Sequence, residues 1–170
     1  MDAQLHWLET MVKKLLTLLS VNRNAKLTAE SVPELLAQVQ AVSKEICVRY
    51  GVSLKLTRSA DTLTMDSDLM CSALVNLIEN SAKASEPGQT IELLATPAGF
   101  TVSDHGRGIP KEDLQRVTEP FYMGDPSRSK ANGGFGLGLA LVREIASVHG
   151  GTLELESVVG EGTTVCILLP

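Results

Sequence analysis

The sequence has no run of lysines or arginines and no long apolar stretch, and both absences narrow the function. With 15 Lys and Arg against 20 Asp and Glu, its formal net charge is -5, which argues against a nucleic-acid partner. No apolar run approaches the ~18 residues needed to cross a bilayer, and the N-terminus lacks a signal-peptide pattern. We therefore expect a cytoplasmic domain without direct membrane contact, which is compatible with a longer protein in the plasma membrane.

Cysteine is also scarce. Cys47, Cys71 and Cys166 lie far apart in apolar surroundings, without the close spacing that metal-ligating cysteines have. We interpret them as reduced core residues, which favours a reducing compartment.

Apolar residues make up 44% of the 170 residues, which is enough to form the core of one ordinary domain. Strands are predicted near 26–30, 52–57, 62–65, 89–96, 100–103, 152–156 and 163–168. Helices are predicted from a cap at Ser31 to a stop at Gly51, over 66–85 and over 139–148. The first of these has an apolar stripe comprising Leu35, Leu36, Val39, Val42, Ile46 and Tyr50. Because helices alternate with both hairpins and single strands, we expect an α/β two-layer sandwich, a mixed sheet with helices packed on one face.

A further helix precedes this domain. Five apolar residues recur at spacings of three and four, as in a coiled-coil seam: Leu5, Leu8, Val12, Leu15 and Leu19. A seam of about two heptads seldom holds a helix alone. We therefore expect the first residues to be part of a larger helical unit, followed by the domain itself from residue 24. The alternative is a helix packed on its own domain.

Two glycine clusters, residues 104–110 and 133–139, flank about twenty polar residues. Glycine allows backbone to approach a ligand closely. The second cluster opens a predicted helix, whose first N–H groups favour an anion such as phosphate. The pattern indicates a local anion site.

The helix over 66–85 has polar residues in mid-helix. Asn76, Asn80 and Lys83 fall on one side of it, although asparagine is a mediocre helix former. The Asn80 oxygen suits a hard cation such as Mg²⁺, supported by Asn76, with Lys83 facing a phosphate. A solvated polar face is the alternative, and the sequence leaves Glu79 undecided between a surface charge and a residue that orients an attacking group.

Asp104 follows a predicted strand and, when ionised, only accepts hydrogen bonds. It therefore suits the exocyclic amino group of adenine, whereas the carbonyl of guanine would oppose two acceptors. This predicts ATP rather than GTP. The alternative is an ordinary turn residue or helix cap.

Five segments together resemble the N, G1, F, G2 and G3 boxes of the catalytic ATP-binding domain of sensor histidine kinases. They are NLIENSAK at 76–83, DHGRGI at 104–109, EPFY at 119–122, GFGLGL at 134–139 and GEGTT at 160–164. The resemblance implies the Bergerat α/β sandwich shared with gyrase, Hsp90 and MutL ATPases.

The same resemblance implies ATP and Mg²⁺ as cofactors. Asn80 would hold the metal, Asn76 and Lys83 would contact the phosphate side, and Arg128 would approach the γ-phosphate. The predicted catalytic residues are Asn76, Glu79, Lys83 and Arg128. Asp104 would read adenine. The remaining predicted nucleotide-binding residues are Gly106, Gly108, Ile109, Phe121, Tyr122, Gly134, Gly136, Leu137, Gly138, Leu139 and Thr163. A lid over 111–133 should order around nucleotide, with Phe121 and Tyr122 as its apolar anchors.

The phosphoacceptor signature of the family is missing, because His6 is followed by Trp7-Leu8-Glu9. By the same resemblance, residues 1–23 would be the C-terminal part of a dimerisation and phosphoacceptor hairpin, or a linker helix, and residues 24–170 the catalytic ATP-binding domain. We expect the acceptor histidine on a dimerisation helix upstream, so this chain should bind ATP as a monomer without autophosphorylating. The full-length protein should form a homodimer and phosphorylate a cognate response regulator.

Three alternatives remain open. A stand-alone serine kinase that binds a sigma factor has the same fold, but the long lid and the leucine seam favour the histidine kinase. An ATP-driven dimer clamp would have an acidic general base where Asn76 stands. A degenerate binding module would not need both Asn80 and Asp104.

Overall fold

A computed structural model describes residues 2–21, 25–125 and 134–170. The elements in chain order are α1 (Asp2–Ser20), β1 (Thr28–Ser31), α2 (Val32–Tyr50), β2 (Ser53–Arg58), β3 (Thr62–Met65), α3 (Ser67–Ala84), β4 (Thr90–Thr96), β5 (Gly99–Ser103), α4 (Gly138–Val148), β6 (Thr152–Val158) and β7 (Gly162–Leu168). In these ranges no helix is both long and apolar enough to span a bilayer.

Five strands form one mixed sheet in the order β2-β4-β5-β7-β6. β2 runs parallel to β4, and the other neighbours are antiparallel. Alternate side chains such as Leu93, Val102 and Ile167 are buried in the core, which lies between the sheet and the helices on that one face. The predicted mixed sheet with helices on one face is confirmed.

The helix ends follow the local signals in the sequence. The Ser31 hydroxyl accepts a hydrogen bond from the Glu34 N–H, and Gly51 ends α2 with a left-handed φ of 65°. Asp66 caps α3 by accepting from the Leu69 N–H at 3.0 Å. These three end residues are as predicted.

One residue of the predicted α2 stripe is wrong. Val42 is 52% exposed, whereas Ser43 is fully buried. The buried face continues from Val39 to Ser43, about one helical turn later, so Val42 points away from the core.

The first strand also differs from its prediction. β1 begins at Thr28 rather than near residue 26, and it pairs with β3 in a separate two-stranded sheet. Its last residue, Ser31, lies directly before α2 and pairs with Thr62.

The cysteines are unpaired, as expected, but only Cys71 is buried. Cys47 is half-buried at the edge of the core. Cys166 lies on the open face of the sheet, where its sulfur accepts from the Thr101 hydroxyl at 3.4 Å. The strand alternation explains this, because both of its neighbours in β7, Val165 and Ile167, point into the core.

Helix α1 packs against α4 through a stripe other than the leucine seam. Leu18 contacts the core, and Val21 just beyond the helix is 2% exposed. Four seam residues point away from the core and are 44% to 67% exposed: Leu5, Leu8, Val12 and Leu19. The helix thus contacts the domain with one face and leaves four of the five predicted seam residues exposed, while Leu15 is half-buried.

Candidate nucleotide site

A cleft of about 240 Å³ lies between α3, the turn after β5, the described part of the lid and the start of α4. Many of the predicted site residues line it together: Asn80, Lys83, Asp104, Gly108, Ile109, Tyr122, Gly134, Gly136, Gly138, Leu139 and Thr163. The cleft therefore brings the predicted N, G1, F, G2 and G3 segments to one place.

Asp104 lines the cleft and is 6% exposed. Its Oδ1 accepts hydrogen bonds from the Gly106 N–H at 2.9 Å and from the Thr163 N–H at 3.3 Å. Its backbone N–H donates to the Thr163 carbonyl at 2.9 Å. With Oδ1 fixed by two backbone donors, Oδ2 is the oxygen left to accept from a ligand.

The turn that follows Asp104 is held from both sides. The Arg107 N–H donates to the Ala84 carbonyl at 3.0 Å, and the Arg107 guanidinium donates to the Lys83 carbonyl at 3.0 Å. A Cβ on Gly108, whose φ is 72°, would come within 2.2 Å of the Val158 carbonyl oxygen. Only glycine fits that position without moving the strand.

A small network of hydroxyl groups supports the turn that follows Asp104. The Ile109 N–H donates to Ser157 Oγ at 2.8 Å. Ser157 Oγ also lies 2.8 Å from the Thr163 hydroxyl. The network links the G1 turn to β6 and β7, so Ile109 and Thr163 are positioned together.

Asn76 and Asn80, two of the three residues in the predicted polar stripe of α3, face the start of α4. Asn76 is buried and donates through Nδ2 to the Ser72 carbonyl at 2.8 Å. An ideal Cβ on Gly138 would lie 3.4 Å from both Asn76 Oδ1 and Asn80 Nδ2. The absence of a side chain at Gly138 keeps the space beside both amides open.

Asn80 differs from Asn76 in its bonding. Within the described ranges its amide makes no hydrogen bond to the protein, and it lines the cleft. A half-buried amide without a protein partner is available to a ligand.

Helix α4 points its N-terminus at the cleft through Gly138. The first helical hydrogen bond runs from the Leu141 N–H to the Leu137 carbonyl at 2.9 Å. Leu137 supplies no side-chain cap, and the first turn has no acidic residue. The first N–H groups and the positive end of the helix dipole therefore remain available to an anion.

Two lysines that line the cleft hold one carboxylate beside it. Lys83 Nζ lies 2.8 Å from Glu79 Oε1, and Lys14 Nζ lies 3.2 Å from Glu79 Oε2. Burial raises the pKa of Glu79, but the charges and hydrogen bonds of Lys14 and Lys83 outweigh it, so the pKa lies below its ordinary value. Glu79 is therefore ionised at neutral pH.

The described part of the lid is a series of turns. The Tyr122 hydroxyl donates to Asp113 at 2.5 Å, and the Arg116 guanidinium lies 4.4 Å from the centre of the tyrosine ring. The hydrogen bond to the Asp113 carboxylate raises the pKa of Tyr122. Tyr122 is thus tied to the lid through polar contacts as well as through its ring.

Phe121 is not an apolar anchor, which corrects the prediction. Its side chain is 52% exposed, and it does not line the cleft. Its φ is 64°, and its N–H donates to the Gly136 carbonyl at 2.9 Å. Its backbone, rather than its ring, connects the lid to the G2 segment.

Several predicted site residues lie beside the cleft rather than on its wall: Asn76, Glu79, Gly106, Phe121 and Leu137. Glu79 reaches it through the lysines, and Gly106 through its bond to Asp104. Leu137 is buried beneath the G2 turn. The predicted Arg128 lies outside the described residues.

Sequence reasoning missed Lys14, Arg107 and Phe135, which all line the cleft. Phe135 packs on Trp7 of α1, with ring centroids 5.0 Å apart. No signal in the α1 pattern points to these contacts, because the stripe that makes them is less apolar than the exposed seam.

Comparison with known proteins agrees with this geometry. Residues 65–170 match the family described as "Histidine kinase-, DNA gyrase B-, and HSP90-like ATPase". The sensor-like histidine kinase SenX3 of Mycolicibacterium smegmatis is 33% identical over 183 residues, covering 100% of this chain and 46% of its own. The sensor histidine kinase WalK of Bacillus subtilis is 37% identical over 116 residues, covering 62% of this chain and 18% of its own. The chain thus spans less than half the length of either relative.

A solved structure, that of the mycobacterial sensor histidine kinase MprB, superimposes with a TM-score of 0.70 at 25% identity, covering 85% of this chain and 97% of its own. These matches give no support to the serine-kinase alternative. The chain therefore belongs to the family of histidine kinase-, DNA gyrase B- and HSP90-like ATPases, and it carries an ATP-binding catalytic domain of the sensor histidine kinase type.

Proposed function

We propose that the cleft binds MgATP and that the domain transfers the γ-phosphoryl group to a histidine on a dimerisation helix. The observation that carries the proposal is that one cleft is lined by a buried carboxylate, Asp104, and by the ammonium-bearing side chains of Lys83 and Lys14. Such a site suits a ligand with an amino-bearing base at one end and phosphates at the other.

Asp104 recognises adenine in this proposal. Its Oδ2 accepts from the exocyclic amino group, while its Oδ1 stays bound to the Gly106 and Thr163 N–H groups. Guanine would place a carbonyl against the same oxygen, at a cost of about 1–3 kcal/mol for the opposed acceptors.

The phosphates lie toward the N-terminus of α4 and Lys83. The uncapped N–H groups of α4 donate to phosphate oxygens, and the Lys83 ammonium neutralises their charge. Asn76 contacts the phosphate side from α3, and Glu79 orients Lys83. Arg128 approaches the γ-phosphate from the lid.

The residues present fit a magnesium ion. The amide oxygen of Asn80 is a hard ligand on the cleft wall, and Mg²⁺ is commonly held by few protein ligands together with substrate phosphates and water. Among the described residues no cluster of three His, Cys, Asp or Glu side chains forms a separate metal site. When bound, the ion supplies positive charge that neutralises the phosphate oxygens.

The protein contributes positioning and electrostatic stabilisation to this reaction rather than a covalent step. The bond between the γ-phosphorus and the β–γ bridging oxygen breaks, and its electron pair leaves on ADP. A bond forms between the phosphorus and an imidazole nitrogen, and the imidazole releases its proton to solvent. Lys83 and the α4 N–H groups stabilise the charge that develops on the phosphate oxygens.

The remaining proposals concern the larger protein. Residues 1–23 are part of the dimerisation hairpin, and residues 24–170 are the catalytic domain. The exposed leucine seam of α1 packs in a homodimer, and a cognate response regulator receives the phosphoryl group. The domain works in the cytoplasm as part of a longer protein, which is compatible with a plasma-membrane anchor elsewhere in that protein.

Labelled ATP tests the proposal. We would incubate the chain with γ-labelled ATP, Mg²⁺ and a separate histidine-bearing helical hairpin, and in parallel with an anti-anti-sigma protein. We expect an acid-labile, base-stable label on the hairpin, as a phosphorus–nitrogen bond requires. An acid-stable label on the second protein alone would contradict the histidine kinase, and calorimetry without acceptor would report whether ATP binds at all.

A further inference from the structure

Lys14 is a cleft residue although it belongs to α1, outside the family match at 65–170. Its side chain is 21% exposed and lines the same cleft as Asn80 and Asp104. Its ammonium contacts Glu79, which contacts Lys83 through its other oxygen. The three side chains form one ion-pair cluster in which Glu79 is shared by the two lysines.

The position of Lys14 is set by helix packing. About one turn after Lys14 along α1, Leu18 contacts the core, and about two turns before it Trp7 packs against Phe135. Phe135 lies in the G2 segment, three residues before the start of α4. Lys14 is therefore placed between two contacts that hold its helix against the nucleotide site.

The charges of this cluster decide how much of Lys83 is available to a phosphate. Glu79 and Lys83 alone would sum to zero, since the carboxylate offsets the ammonium. Lys14 adds a second positive charge, so the three side chains sum to +1. All three are less than a third exposed, so solvent screens the sum less than it would on an open surface.

We propose that Lys14 is a positioning residue for the polyphosphate end of the nucleotide. It neutralises Glu79 and so leaves the charge of Lys83 for the phosphates, which makes α1 part of the nucleotide site. This inference rests on the proposed function, because it needs a nucleotide in the cleft.

A linkage follows from the same geometry. If docked α1 strengthens nucleotide binding through Lys14, then bound nucleotide stabilises docked α1 by the same factor. The position of the N-terminal helix and the affinity for nucleotide are thereby coupled.

Four variants of the full 170-residue chain test the charge argument: Lys14→Gln, Lys13→Gln, Glu79→Gln and the double variant Lys14→Gln/Glu79→Gln. Lys13 is the matched control, because it is exposed on the same helix and its loss changes the net charge by the same amount. Affinities for ATP, ADP and adenosine would be measured by calorimetry with Mg²⁺ at low and high salt.

We expect Lys14→Gln to weaken ATP binding roughly three- to tenfold at low salt, ADP binding less and adenosine binding not at all. Lys13→Gln should stay near wild type. The double variant restores the sum of +1 through Lys83 alone, so its ATP affinity should recover most of the loss that Lys14→Gln causes.

Equal affinities of Lys14→Gln and Lys13→Gln for ATP would overturn the inference, as would an equal loss with adenosine. Failure of the double variant to recover affinity would also overturn it, since a packing role predicts no rescue by removing Glu79. Each of these results leaves the proposed function standing, because ATP still binds. Absence of ATP binding by the wild-type chain would instead remove the proposed function and the inference together.

Discussion

Two groups of cleft residues, one around Asp104 (the Asp104 end) and one around Lys83 (the Lys83 end), differ in what holds their functional groups. At the Asp104 end, backbone N–H groups fix one carboxylate oxygen, and the adjoining turn is pressed against α3 and β6. At the Lys83 end, long side chains from α1 and α3 hold one another through charge. The Asp104 carboxylate is thus fixed by the backbone, whereas the Lys83 ammonium is held only by ion pairs between side chains.

This difference predicts how each end responds to change. A buried carboxylate that is lost leaves unpaired donors, which no neighbour can satisfy. A charge cluster responds to salt, to pH and to a compensating substitution elsewhere in the cluster. Variants at the Asp104 end should therefore cause large losses that salt does not alter, and variants at the Lys83 end should cause smaller, tunable ones.

The largest expected effect is that of Asp104→Ala. Removing the carboxylate should weaken adenine nucleotide binding by about 1–3 kcal/mol, equally for ATP and adenosine and at any salt concentration. Calorimetry checks this, with Ser103→Ala as control, because Ser103 is the preceding residue and contacts Thr164 instead. Unchanged affinity in Asp104→Ala would remove Asp104 from the site, and a salt-dependent loss would remove the contrast between the two ends.

Much of the Asp104 end was predictable because its signals are local. Asp104, Gly106 and Gly108 follow one another in the chain, so a short motif carries most of the geometry. The partner that the motif does not contain is the Thr163 N–H, which reaches Asp104 through the pairing of β5 with β7. The cap of α3 at Asp66 was predictable for the same local reason.

The Lys83 end was predictable only in part. The i, i+4 spacing of Glu79 and Lys83 is a local signal, but Lys14 lies 65 residues from Glu79. The strongest apolar pattern in α1 is the seam that points away from the domain, so the pattern hides the face that contacts the site. The exposure of Phe121 is likewise set by how the lid meets Gly136, which depends on tertiary packing.

Asn80→Ala should cause the next largest effect. If the Asn80 oxygen holds the metal, the variant should lose about 1–2 kcal/mol of ATP affinity in Mg²⁺ and much less in its absence. Calorimetry of wild type and variant, each with and without Mg²⁺, gives the comparison with its own control. Equal losses in both conditions would indicate a role for Asn80 other than metal binding.

Glu79→Gln should change stability by less than about 1 kcal/mol, and the change should depend on pH. The pKa of Glu79 in the folded chain lies below the ordinary value of 4.5, so its carboxylate stabilises the fold above that pH. The contribution is lost as the pH falls through the lowered value. Urea unfolding should find wild type more stable than Glu79→Gln at neutral pH and equal to it in acid.

A matched carboxylate separates this effect from a general loss of charge. Glu45 is exposed on α2, and Glu45→Gln should leave the free energy of unfolding nearly unchanged at both pH values. If Glu79→Gln and Glu45→Gln behaved alike, the lysine cluster would not stabilise the Lys83 end.

The smallest expected effect is spectroscopic and concerns how α1 is held at the Lys83 end. Trp7 is the single tryptophan of the chain and stacks on Phe135, so its emission reports the docking of α1. Phe135→Ala should expose Trp7 further and shift its emission to the red, whereas Phe121→Ala, which removes an exposed ring from the same lid region, should not. Because docking and nucleotide binding are coupled, ATP should partly reverse the shift in Phe135→Ala. If neither Phe135→Ala nor ATP changed the Trp7 emission, α1 would contribute nothing to the site.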